Sequence, residues 1–148
     1  MDIGDDIGWR ATQLLHRYCK AIDDHNALAL AAVFGPDVAL IVGGQPGGDG
    51  AEQRFEGRDL VVSLLASLFE QRCWARHMVS NVLVDADPGG DVRVSSYFQY
   101  VLGREASRTS GVGDYRVTMR DIGGELLITT FSATILDEST VAVDEAGR

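Results

Sequence analysis

The chemistry open to this chain centres on His77. It stands in a largely apolar run, CWARHMVSNVLVD, over residues 73–85. The β-branched residues of that run, and the turn Asp85-Ala86-Asp87-Pro88-Gly89-Gly90 that closes it, predict a β-strand. Alternation along a strand places Ala75, His77, Val79, Asn81 and Leu83 on one face. Trp74, Met78, Val82 and Val84 take the other. An imidazole and an amide on an apolar face are the polar groups expected inside a pocket. Imidazole titrates near neutrality, so it can take a proton from a substrate and return it. Asp23, at the end of a predicted helix, carries a charge that the helix dipole opposes, which points to a specific partner for it. Asp24 is the competing register, and His25 is expected to face solvent. A facial triad of His25, His77 and a carboxylate lacks ligand spacing, so no metal is expected.

The elements that must hold these residues follow from periodicity. Ile7, Ala11, Leu14, Leu15, Tyr18 and Ile22 recur at helical spacing and predict an amphipathic first helix after an acidic, frayed start. Asn26 is a predicted cap for a short second helix over residues 27–34, stopped by Gly35-Pro36-Asp37. Residues 38–42 read as a short buried strand. Residues 43–54, with five glycines and one proline, read as a loop, either plain surface or a lid over a pocket mouth. Leu60, Val61, Leu64, Leu65, Leu68 and Phe69 form a third helical stripe. Long strands are then predicted over residues 73–85, 91–102, about 115–120 and 126–136, with residues 137–148 as an acidic tail. Helices first and strands after predict one α+β domain, a curved antiparallel sheet wrapped around the N-terminal helices. Several strands are apolar on both faces, so a homodimer or homotrimer is expected to cover the outer one.

Composition narrows the classes. The chain has 148 residues and a net charge of −9, which argues against a nucleic acid or an anionic membrane as partner. No apolar run is long enough to span a bilayer, and the acidic N-terminus has no signal-peptide pattern. The two cysteines, Cys19 and Cys73, make no metal or redox spacing and read as buried free thiols of a cytoplasmic protein.

Five short motifs, in order, carry a family resemblance. They are Tyr18…Ile22-Asp23-Asp24-His25-Asn26, Val33-Phe34-Gly35-Pro36-Asp37, Phe55-Glu56-Gly57-Arg58, Arg76-His77-Met78-Val79-Ser80-Asn81 and Gly113-Asp114-Tyr115-Arg116. Together they resemble the SnoaL-like group over about residues 7–136. That group shares the cone-shaped fold of nuclear transport factor two, scytalone dehydratase, ketosteroid isomerase and the small subunits of ring-hydroxylating dioxygenases.

The resemblance implies a hydrogen-bonded Asp23–His77 pair on a pocket floor, with Tyr18 as a donor to a substrate oxygen. A carboxylate that accepts an imidazole N–H fixes its tautomer and leaves the other ring nitrogen to move protons. Asn81, Phe34, Trp74, Tyr97 and Met119 are expected to touch the substrate. Departures limit the reading. Val42 stands where the isomerase has its general-base aspartate, no histidine follows His77, and Leu126 or its neighbour replaces a common tryptophan. The expectation is a dehydratase, isomerase or cyclase that uses no cofactor on a small apolar cyclic substrate. The alternatives are a non-catalytic dioxygenase small subunit and a ligand-binding module.

Overall fold

The computed structural model describes residues 6–43 and 51–144. Helix α1, Ile7–Asp23, begins where the Asp6 carboxylate accepts from the backbone N–H groups of Gly8 and Trp9. Those donors would otherwise be orphaned at a helix start, so Asp6 is a cap and not frayed chain. One face of α1 buries Ala11, Leu14, Leu15, Tyr18, Cys19 and Ile22. Asn26 caps α2, Ala27–Val33, by accepting from Ala29 N–H. Strand β1, Phe34–Gly43, starts at once, several residues earlier than expected. A short strand β2, Gln53–Glu56, pairs antiparallel with it, and helix α3, Arg58–Ser67, follows. The predicted lid falls mostly on residues 44–50, outside the described residues.

Four long strands complete the fold: β3, Trp74–Ala86; β4, Asp91–Gly103; β5, Ser107–Ile122; and β6, Glu125–Ala142. The six-stranded sheet has the order β2-β1-β6-β5-β4-β3. It is mixed, because β1 runs parallel to β6 while the other pairs are antiparallel. The architecture is α+β, with helices followed by a curved, unclosed sheet. No helix among the described residues is long and apolar enough to cross a membrane.

Three strand expectations change. First, β5 begins at Ser107 inside the expected loop. Second, β6 runs to Ala142, so residues 137–142 are ladder and not tail, paired from Val112↔Asp137 to Ser107↔Ala142. The early half of β5 supplies backbone partners there, and Thr109 and Thr140 bond through their hydroxyls at 2.8 Å. Paired backbone groups outweigh an acidic composition. Third, β3 carries a bulge: Ser80 pairs with Tyr97 and Leu83 with Ser95, leaving two residues opposite one. Asn81, in the bulge, has φ of 55°. The extra residue reverses the alternation. Val82 and Val84 turn to the core, while Leu83 is 71% exposed.

Candidate active site

The C-terminal end of α1 lies against β3, an edge strand of the sheet. An edge strand leaves alternate backbone groups unpaired. Here the free N–H of His77 donates to Asp23 Oδ2 at 2.9 Å. The other carboxylate oxygen, Oδ1, meets His77 Nδ1 at 2.6 Å. Asp23 thus ties helix to strand with both oxygens and orients the ring at the same time. The two side chains keep 11% and 10% of their surface. A carboxylate can only accept, so Nδ1 carries a proton, and in the neutral ring Nε2 is then the nitrogen with the lone pair. Among the described residues nothing bonds Nε2.

The sheet register places His77, Tyr100, Gly111 and Glu138 in one row across β3, β4, β5 and β6. The rings of His77 and Tyr100 stack with centroids 5.9 Å apart. Gly111 has no side chain, and a Cβ there would strike the Tyr100 ring. Tyr100 therefore crosses β5 and donates its hydroxyl to Glu138 Oε2. Burial, then the hydrogen bond and charge of Glu138, push the Tyr100 hydroxyl above its ordinary pKa.

Behind this row lies an aromatic layer. Tyr18 packs on Phe131 at 4.1 Å and meets Phe34 and Tyr115 edge-on at 6.0 and 6.2 Å. Tyr115 stacks on Phe98 at 3.9 Å. Burial drives the Tyr18 hydroxyl well above the usual tyrosine range; Cys19 and Asp23 add to the rise and Arg72 opposes it. Burial raises Tyr115 likewise, with Tyr18 next in effect. Both stay protonated donors at neutral pH.

The structure brings Asp23 and His77 together, holds Tyr18 in the core among Phe34, Tyr115 and Phe131, and sends other expected residues elsewhere. Phe34 is fully buried in the core behind Tyr18. Asn81 is turned away from His77 by the bulge and is exposed. Tyr97, 57% exposed, lies on the outer face because the inner positions of β4 are Phe98 and Tyr100. Trp74 is also on the outer face, over Gly103 and beside Arg108. Met119 is fully buried but pairs with Val92, opposite Ala86, nine residues along β3 from His77. At about 3.3 Å per residue that is roughly 30 Å of strand. Asp24 binds Lys20 at 2.9 Å. His25 does not face solvent: it stacks on Phe69 at 5.0 Å. Two features were missed from sequence: Glu138, and Arg72, whose Nε has no hydrogen-bond partner among the described residues.

A cavity of about 490 Å³ lies outside the cone, between α1, α2 and the β5–β6 turn. It contains neither His77 nor Asp23, and the other described cavities contain neither residue. The dyad is the candidate site because an oriented imidazole can act on a proton. The outer cavity holds no comparable group. No cluster of three or more His, Cys, Asp or Glu that could hold a metal occurs among the described residues.

The family model of the SnoaL-like domain matches residues 9–132. The chain belongs to the SnoaL-like domain family. No curated protein matches the sequence significantly. Among solved structures, this SnoaL-like chain is similar to a provisionally named scytalone dehydratase from Novosphingobium aromaticivorans, with 19% identity, a TM-score of 0.73, and coverage of 91% of this chain and 87% of that one. It is similar to the hexachlorocyclohexane dehydrochlorinase LinA-type3 from Novosphingobium barchaimii, with 12% identity, a TM-score of 0.74, and coverage of 89% and 88%. It is also similar to the beta subunit of a provisionally named aromatic-ring-hydroxylating dioxygenase from Novosphingobium aromaticivorans, with 13% identity, a TM-score of 0.74, and coverage of 90% and 92%. At such identities the likeness is one of fold. SnoaL-like membership and these neighbours agree on the α+β cone and not on one reaction.

Proposed function

We propose that this protein is a cofactor-independent, small-molecule enzyme of the dehydratase, isomerase or cyclase kind. The single observation that carries the reading is the 2.6 Å contact between Asp23 and His77 Nδ1, which in the neutral ring makes Nε2 the base. Nε2 removes a proton from carbon next to a carbonyl, and the resulting imidazolium returns it to a leaving oxygen or to a second carbon. Asp23 holds the ring and balances the imidazolium charge. Tyr18, held protonated by burial, donates to the oxygen on which charge develops. The substrate proposed is apolar and cyclic, as ligand pockets are mostly apolar.

Substitution His77→Gln tests this. The variant keeps a polar side chain of similar reach but has no base. A loss of about 10²–10⁴-fold in kcat is expected, and an unchanged rate removes the mechanism. Assembly is a separate proposal. The outer face exposes Met78 at 49% and Tyr97 at 57%, which suits a homodimer or homotrimer burying that face. The neighbouring dioxygenase subunit keeps a non-catalytic reading open. It requires that the chain aggregate when expressed alone and become soluble with an iron–sulfur partner.

A further inference from the structure

The cavity of about 490 Å³ between α1, α2 and the β5–β6 turn comes from side-chain size. Arg10, Gln13, Arg17, Lys20 and Asp24 recur at three- and four-residue spacing, so they form one stripe along α1. From α2 the cavity is lined by Ala29 and Ala32, whose methyl groups leave the space between the helices unfilled. Leu14, Ala21, Val33 and Leu126 line it too and are buried, which gives it an apolar floor. The volume lies within the ~300–1,000 Å³ of small-molecule sites. The wall holds three of the chain's 13 basic residues, Arg10, Arg17 and Lys20, against two of its 22 acidic ones, Asp24 and Glu125. In a chain of net charge −9 this face is locally positive. Arg10 meets Asp121 of the β5–β6 turn at 3.5 Å, and Glu125 sits on that same turn, paired with Ile122. Arg17 is two turns of helix further on, roughly 10 Å from Arg10 along the axis. Beside it Lys20 already holds Asp24 at 2.9 Å. Arg17 itself enters none of the ion pairs found among the described residues.

A floor of aliphatic side chains with a guanidinium at one end is complementary to an amphipathic anion. The planar fork of Arg17 matches a carboxylate with paired donors. The backbone groups of both helix walls are bonded within the helices, so an extended peptide would find few partners there. We propose that this cavity is a binding site, separate from the Asp23–His77 pair, for a small apolar monocarboxylate: an aliphatic chain or a fused ring bearing one acid group. The carboxylate docks on Arg17, and the apolar body lies along the floor from Ala21 and Val33 towards Leu14 and Leu126. Neither Asp23 nor His77 lines this space, so the site stands whether or not His77 transfers protons.

The test titrates octanoate and 2-naphthoate against their neutral amides, by calorimetry and by the emission of Trp9, which lines the cavity, in a Trp74→Phe background that removes the other tryptophan. The carboxylates are expected to bind about 10-fold tighter than the amides, the low end for a charged hydrogen bond because Arg17 is exposed. Arg17→Gln should erase that preference. Ala32→Phe, at an exposed position of α2, fills the space and should abolish binding of acids and amides alike. Circular dichroism checks that both variants fold, and neither replaces a core side chain. His77→Gln should leave all four affinities unchanged; a loss there would place the ligand at the dyad and overturn the proposal. Other overturning results are that no carboxylate binds, that acids and amides bind equally, that the preference survives Arg17→Gln, or that binding survives Ala32→Phe. Sedimentation adds one more: a dimer that Ala32→Phe dissociates, with no carboxylate bound, would give the groove to a second copy of the chain and not to a small molecule.

Discussion

Replacing Asp23 by asparagine should invert the protonation of the imidazole it holds. In the native protein Asp23 accepts the His77 backbone N–H at 2.9 Å and faces Nδ1 at 2.6 Å. Asparagine cannot accept at both places. The backbone N–H is a fixed donor, so the amide oxygen must turn to it and the amide NH₂ must face Nδ1. Nδ1 then becomes the acceptor, the ring proton moves to Nε2, and the lone pair that would take a substrate proton is gone. Both contacts survive in altered form, so the stability loss is that of charge assistance alone, about 1–2 kcal/mol. For a chain of this length that is roughly 2–8 °C in Tm. Activity should fall about 10²–10⁴-fold, the range of general acid–base catalysis. Asp23→Ala differs: it strands two donors where little solvent reaches, and should cost about 2–4 kcal/mol. The assay needs no substrate. Long-range ¹⁵N spectra of labelled histidine, taken at alkaline pH where imidazole is neutral, distinguish the two tautomers directly. A native His77 protonated on Nε2, or the same tautomer in both proteins, would refute the reasoning.

Further expectations follow from the packing. Gly111→Ala puts a methyl group against the Tyr100 ring, so it should destabilise the fold by about 1–3 kcal/mol in a urea melt and break the Tyr100–Glu138 bond. Thiol labelling near pH 8 should modify only Cys73, which is exposed; Cys19 is buried, with its pKa pushed up to about 12, and should react only on unfolding. Alkaline stability should be limited, because Tyr18, Tyr115 and Cys19 all have folded pKa values above their unfolded ones. Above about pH 9 the unfolded chain binds fewer protons than the folded one, so stability falls as pH rises, by up to about 1.4 kcal/mol per pH unit for each group. Tyr18→Phe removes one such group, and its alkaline unfolding curve should be shallower; an identical slope would contradict the burial of that hydroxyl.

What could be read from sequence and what could not divides along one physical line. The α1 stripe and the strand character of residues 74–86 are properties of a single segment, repeated often enough to show as a period. Asp23 and His77 sit at fixed positions in those periods, so each could be placed on its element and face before any contact was known. Asn81 could not. One added residue in β3 reverses everything after it, and the run Val82-Leu83-Val84 is apolar in either phase. The one local hint was asparagine itself, among the few residues that tolerate a positive φ. Glu138 was lost for a related reason: its place in the site comes from alignment with Gly111 and Tyr100 on two other strands. Its own acidic surroundings suggested a tail. A signal was present in β5, where Gly111 and Gly113 alternate on the inner face and leave room for Tyr100 and Phe98. Arg72 belongs to no period, since it fills the gap between a 3-10 turn and a strand. The groups that set acid–base chemistry were therefore legible, while those that shape and charge the space around it depend on register between strands.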